Sequence, residues 1–143
     1  AAFLNGSPHS DTIGRLAKVG KEEIVGLWTA LESYLKRDHA AEWRDWETRV
    51  RDIADALKNL PGVRTEVFVP EIANESPHLR VEWDEKVIPK RNADIVKLLR
   101  EGDPRIEVRP SAGNRPVVEV AVWMLQPDEH RIVANRLRQV LKM

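Results

Sequence analysis

Arg15, Lys18 and Lys21 stand three residues apart in TIGRLAKVGKEEIVGLW, with Gly14 ahead of them and Gly20 just before Lys21. A glycine turn lets backbone N–H groups approach a ligand, and a helix starting near Lys21 adds positive partial charge at its first turn. Arg15 and Lys18 add full charges. The chemistry that fits is recognition of an anionic group such as a phosphate, carboxylate or sulfonate. The same residues would equally make a solvated basic turn ahead of a surface helix. No other cluster competes. His9, His39, His78 and His130 fall on different segments, without the spacing of metal ligands. Ser7 and Ser10 could hydrogen-bond a phosphate or simply form turns. Asp84 and Glu85 would point to opposite faces of an extended chain, which disfavours paired acid–base work. Arg44 and Arg49 flank Trp43 and Trp46, but Glu42, Asp45 and Glu47 cancel their field, so a base-stacking platform is disfavoured.

Composition narrows the classes. The 23 Lys and Arg residues balance 23 Asp and Glu residues, which argues against a basic nucleic-acid platform. With no cysteine, disulfides, thiolate catalysis and zinc–sulfur sites are excluded, and a cytoplasmic setting is favoured. No apolar run approaches the ~20 residues of a membrane span. The lead-in AAFLNGSPHSD lacks the basic start and apolar stretch of a signal peptide. It also lacks an initiating Met, as an excised or processed piece would.

The elements that must carry these residues follow from periodicity. Residues 1–20 read as an irregular lead-in rich in turn formers. Ile24, Leu27, Trp28, Leu31 and Leu35 share one helical face, with Glu22 and Glu23 in the first turn. Trp43, Trp46, Val50, Ile53, Leu57 and Leu60 form a second helical seam, broken from the first near Asp38 and ended by Pro61-Gly62. The period then becomes two. Val63, Thr65, Val67 and Val69 predict one strand, and Leu79, Val81 and Trp83 its hairpin partner. Asn92 is positioned to cap a helix carrying Ile95, Val96, Leu98 and Leu99. Ile106 and Val108 predict a third strand, VVEVAVWML a central fourth, and Asp128 the cap of a last helix. The class expected is α+β: a two-layer sandwich with a small, mainly antiparallel sheet of about four strands, helices on one face, and long helices ahead of it. The expected division is a lead-in over 1–20, long helices over 21–60 and an α+β domain over 61–143.

GRLAKVGKEEIVGLWTALESYL resembles the segment linking the large and small domains of selenocysteine synthase and its relatives. RIEVRPSAGNRPVVEVAVWMLQPDEHRIVANRLRQVL resembles the last two strands and final helix of that family. The resemblance implies a fold-type I pyridoxal-phosphate enzyme, of which this chain would be the C-terminal small domain. The family's Schiff-base lysine follows a Ser-Gly pair upstream of this segment, and no lysine here precedes Lys18. Pyridoxal phosphate would therefore be anchored in a parent polypeptide's N-terminal large domain, and this piece alone would be inactive. By the same resemblance Arg15 matches an arginine that binds the substrate's anionic group. Lys18 stands where true selenocysteine synthases have a second arginine, which favours a relative, either transferase or lyase. The resemblance also implies that Arg109, at a strand end beside PSAGN, holds a substrate carboxylate, and that His9 lies along the lining of the site.

The function expected is β-replacement or elimination on an amino-acid-like anionic substrate. The partners expected are the large domain and, by analogy, further copies in a homo-oligomer; nucleic acid and membrane are disfavoured. The competing reading is a non-catalytic α+β regulatory or interaction module.

Overall fold

The computed structural model describes residues 19–72, 75–110, 113 and 115–142. The chain divides into two units, residues 1–38 and 39–143.

In the first unit, α1 spans Lys21–Lys36. Glu22 and Glu23 complement its N-terminal dipole and Lys36 its C-terminal end. It stops at Arg37, whose φ of −74° and ψ of 142° are extended. None of its residues is buried.

In the second unit, α2 (His39–Leu57) begins directly after the break expected near Asp38. Its seam buries Val50, Ile53 and Leu57 fully, and Leu60 follows them into the core. Trp43 and Trp46, earlier on the seam, are half-buried with ring centroids 6.4 Å apart. The turn at Pro61-Gly62 needs its glycine. Gly62 has φ +75°, and a Cβ there would lie 2.8 Å from Cβ of Val87.

β1 (Val63–Phe68) and β2 (His78–Trp83) pair antiparallel, with Val63 opposite Trp83 and Val67 opposite Leu79. β1 stops at Phe68, so Val69 lies outside it. Beyond a crossover, β4 (Val117–Ala121) pairs antiparallel with β2, placing Val81 opposite Val118. The last strand, β3 (Arg109–Pro110), joins the outer side of β4, giving the order β1-β2-β4-β3. β4 is thus interior, as its apolar run predicts. Leu79, Val81, Trp83, Val118 and Val120 meet α2, α3 (Asn92–Arg100) and α4 (Glu129–Lys142) in one core. The helices add Ile53, Leu57, Ile95, Leu99, Leu137 and Val140. The sheet is thus antiparallel, with the helices packed on one face, the two-layer α+β arrangement expected.

Two local expectations are corrected. Arg91, not Asn92, caps α3. Asp94 in the first turn accepts a hydrogen bond from the Arg91 N–H at 3.1 Å. Asn92 instead turns inward, 2% exposed, and donates from Nδ2 to the carbonyls of Arg115 (3.1 Å) and Val117 (2.8 Å). The third strand falls at Arg109–Pro110 rather than Ile106–Val108. The cause lies in α3: Ile106 N–H donates to Leu99 O at 3.0 Å, and Arg100 and Arg105 both grip Glu107. That segment is therefore held to the end of α3 and not to β4. Asp128 precedes α4 as expected, but with φ +67°, a left-handed conformation Asp tolerates. Its carboxylate lies 3.4 Å from Arg131, while Glu129 accepts the Gln126 N–H at 2.8 Å.

Candidate functional site: the charged face of the sheet

Strand alternation sends every second side chain of the sheet away from the helices. On that face the register lines up one residue from each strand. Glu66 on β1 is opposite Arg80 on β2, Arg80 is opposite Glu119 on β4, and Glu119 is opposite Arg109 on β3. The row reads minus, plus, minus, plus.

Arg80 organises it. Its guanidinium reaches Glu66 Oε2 at 2.7 Å and Glu119 Oε1 at 3.3 Å, and lies 4.4 Å above the centre of the Phe68 ring. Burial works against the Arg80 charge, but the hydrogen bonds to Glu119 and Glu66 outweigh it and raise its pKa. Phe68 is flanked by His78, with ring centroids 5.8 Å apart. His78 is buried, with Nδ1 2.8 Å from Ser76 O.

Arg109 ends the row. It is exposed, and among the described residues no carboxylate lies within ion-pair distance of its guanidinium. Arg80 already engages both acidic side chains, so the surplus positive charge of the row sits on Arg109. A planar guanidinium so placed can take a carboxylate or phosphate through two parallel hydrogen bonds.

Of the residues singled out in the sequence, Arg109 is thus placed on a charged face of the sheet. Arg15, Lys18 and His9 lie outside the described residues. At the start of α1, the Glu22 and Glu23 carboxylates both turn back toward Gly20. A ligand anion there would have to pass two carboxylates already using the helix dipole.

Arg80 and Glu119 were not marked as site residues in the sequence. The signal was alternation alone, Arg80 and Glu82 interleaved with Leu79, Val81 and Trp83, and it assigns the face without assigning the neighbour.

The other charged clusters look structural. Glu107 takes hydrogen bonds from Arg100 and then Arg105, which lower its pKa; the same contact raises that of Arg100. A cleft of 220 Å³ lies between Pro104–Glu107, β4 and the first turns of α4, floored by Ile106, Val120 and Val133. Among the described residues no group of three His, Cys, Asp or Glu could hold a metal ion. No described helix is long and apolar enough to cross a membrane.

No model of a protein family matches the chain. Over 128 residues, 90% of its length, it is 24% identical to D-glucosaminate-6-phosphate ammonia lyase of Salmonella typhimurium, of which it covers 34%. It is 25% identical over 129 residues to 5'-C-glycyluridine monooxygenase-decarboxylase of a Streptomyces species, covering 90% of this chain and 32% of that protein. A solved structure of D-glucosaminate-6-phosphate ammonia-lyase aligns with a TM-score of 0.66 at 24% identity, over 92% of this chain and 34% of that one. The chain therefore spans about a third of the length of the relatives it matches. The structural likeness establishes the α+β fold as one found within a larger enzyme. The matched proteins are named as a lyase and a monooxygenase-decarboxylase, and neither as a selenium transferase.

Proposed function

We propose that this chain is the C-terminal domain of a fold-type I pyridoxal-phosphate enzyme, and that its part is to hold the anionic end of an amino-acid-like substrate. The observation that carries this reading is Arg109: a guanidinium without a carboxylate partner among the described residues, at the end of a row whose other members are mutually engaged. The likeness to an ammonia lyase over 90% of the chain supports an enzyme parent. It favours elimination over the β-replacement that the resemblance to selenocysteine synthase would add. A phosphorylated amino sugar acid is then the substrate class to try first, with Arg15 and Lys18 as further anion contacts and His9 beside them.

The described residues do not fit pyridoxal phosphate themselves. The cofactor needs a lysine amine beside a wall for its ring and a cradle for its phosphate. Lys90 donates to Val140 O at 3.1 Å, and Lys21, Lys36, Lys58 and Lys86 are exposed. The clefts that contain Lys97 and Lys142 have no aromatic side chain. Anchoring of the cofactor therefore belongs to the remainder of a polypeptide of the relatives' length, and so does any bond-breaking step.

The test is a spectroscopic titration of the full encoded polypeptide with pyridoxal phosphate, followed by anionic amino acids and amino sugar acids. The expected result is a bound-cofactor absorbance band that each substrate shifts, with weaker substrate response in Arg109→Ala. A polypeptide that binds no cofactor, or an Arg109→Ala variant with unchanged substrate affinity, overturns the reading.

A further inference from the structure

Trp46, Glu75, Ser76 and Trp123 meet around a cavity of about 150 Å³ at one end of the sheet. The strand register brings them there. His78, the first residue of β2, is opposite Ala121, the last of β4. Ser76 lies two residues before the one and Trp123 two after the other, so both segments leave the sheet at the same end. α2 supplies Trp46, which packs against the core. One turn further along α2, Arg49 donates from Nη1 to the carbonyl of Leu125 and ties the helix to the segment that carries Trp123. None of the lining residues belongs to the row that ends at Arg109.

Two indoles and a carboxylate are the lining that suits a cation. The face of an aromatic ring is negative and attracts an ammonium group. Trp46 is half-buried, with Trp43 beside it, and Trp123 is 42% exposed. On α2 the carboxylates near Trp46 have partners: Glu42 with His39, Asp45 with Arg49, Glu47 with Arg51. Glu75 is exposed and has none among the described residues. Nor do the described residues bring a cation of their own to the tryptophans, since the one cation over an aromatic ring is Arg80, over Phe68. A plain ammonium or guanidinium would leave donors without acceptors in so apolar a lining. A methylated ammonium has no such donors to lose, and it matches the benzene-sized bodies that a cavity of about this volume admits. We propose that this cavity binds a methylated ammonium group, held by the indoles of Trp46 and Trp123 and balanced by the Glu75 carboxylate. The acidic neighbours that disfavour base stacking at Trp43 and Trp46 favour such a cation.

The test is a titration of the 143-residue chain with choline at constant ionic strength, followed by the indole N–H resonances. Dimethylbutanol, which has choline's shape without its charge, is the control. Saturable shifts at Trp46 and Trp123 are expected, with buried Trp83 unmoved and dimethylbutanol about tenfold weaker or more. Trp123→Ala should raise the dissociation constant about tenfold and Glu75→Gln about threefold. An unchanged Trp83 resonance shows in each variant that the core is intact. Shifts that do not saturate overturn the proposal. So does equal binding of dimethylbutanol, which would make the cavity merely apolar, and so does unchanged affinity in Trp123→Ala. A peptide carrying trimethyllysine, titrated alongside, separates the two carriers of such a head group. Tighter binding than choline's sustains the proposal with a protein side chain as ligand, and weaker binding sustains it with a free small molecule.

Discussion

Arg109 and Arg80 sit in one cross-strand row and have opposite fates on substitution. Arg80 joins two carboxylates and an aromatic ring, so Arg80→Met leaves Glu66 and Glu119, on the strands either side of it, without their shared counter-charge. With Arg80 about a third exposed, the cost should be about 1 kcal/mol by urea denaturation. Arg109→Ala should leave stability within about 0.5 kcal/mol, because nothing among the described residues depends on its charge. In the full enzyme it should raise KM for an anionic substrate about tenfold or more, and Arg109→Lys should recover only part, lacking the planar fork. Glu107 gives the pH dependence. Its pKa is lowered in the folded state, so the stability it contributes is complete above the ordinary carboxylate range and is lost as pH falls through the folded value. Glu107→Gln should remove that acid-side loss, seen as a flatter plot of unfolding midpoint against pH. Residue types were legible here and neighbours were not. Arg109 could be picked out beside a loop, whereas the Arg80–Glu119 contact needs a register between strands 39 residues apart in sequence. Asn92 reads as a cap by type, yet Arg91 takes that place because Asn92 is drawn inward to two carbonyls of the strand region.

At the scale of elements, periodicity located each helix and three of the four strands, because the core takes one face from each. It failed at β3. Ile106 and Val108 alternate as a strand should, and Val108 is indeed buried. Their segment is nonetheless captured by α3 through Leu99 O and the Arg100–Glu107–Arg105 cluster, which no local pattern encodes. Pairing with β4 starts only at Arg109. The turn into β1 was legible from Pro61-Gly62, and it supports a sharp expectation. Gly62→Ala forces a Cβ into φ +75° and against Val87, where the hairpin and the Asp84–Ile88 turn meet. Asp84 N–H donates to Gly62 O at 2.8 Å, so the glycine cannot shift without losing that bond. The substitution should cost about 1–3 kcal/mol, measured as a lower urea midpoint with unchanged slope.

At the scale of the whole molecule, the buried core among the described residues runs from Val50 to Leu141, with Trp46 packed against it. Seven residues of the sheet and its helices that are at or near zero exposure, Ile53, Leu57, Leu79, Val81, Ile95, Leu99 and Leu137, supply its centre. α1 contributes no buried side chain at all. The switch of period from about 3.6 to two made this class of fold readable, since an amphipathic sheet must be covered by amphipathic helices. What would cover α1 was unreadable, because its apolar face specifies only that a partner be apolar. This separation predicts the behaviour of a shortened chain. Residues 39–143 alone should retain a single cooperative thermal transition, with Tm within a few degrees of the 143-residue chain, because every core member among the described residues lies within 39–143. Near-ultraviolet circular dichroism reports the packing directly, since Trp83 is buried within that core and donates from Nε1 to Lys90 O at 2.9 Å. A shortened chain that loses the Trp83 signal, or melts without cooperativity, would mean that the helical lead-in is needed to complete the sheet unit. A retained signal would leave α1 with no part in holding the sheet unit together.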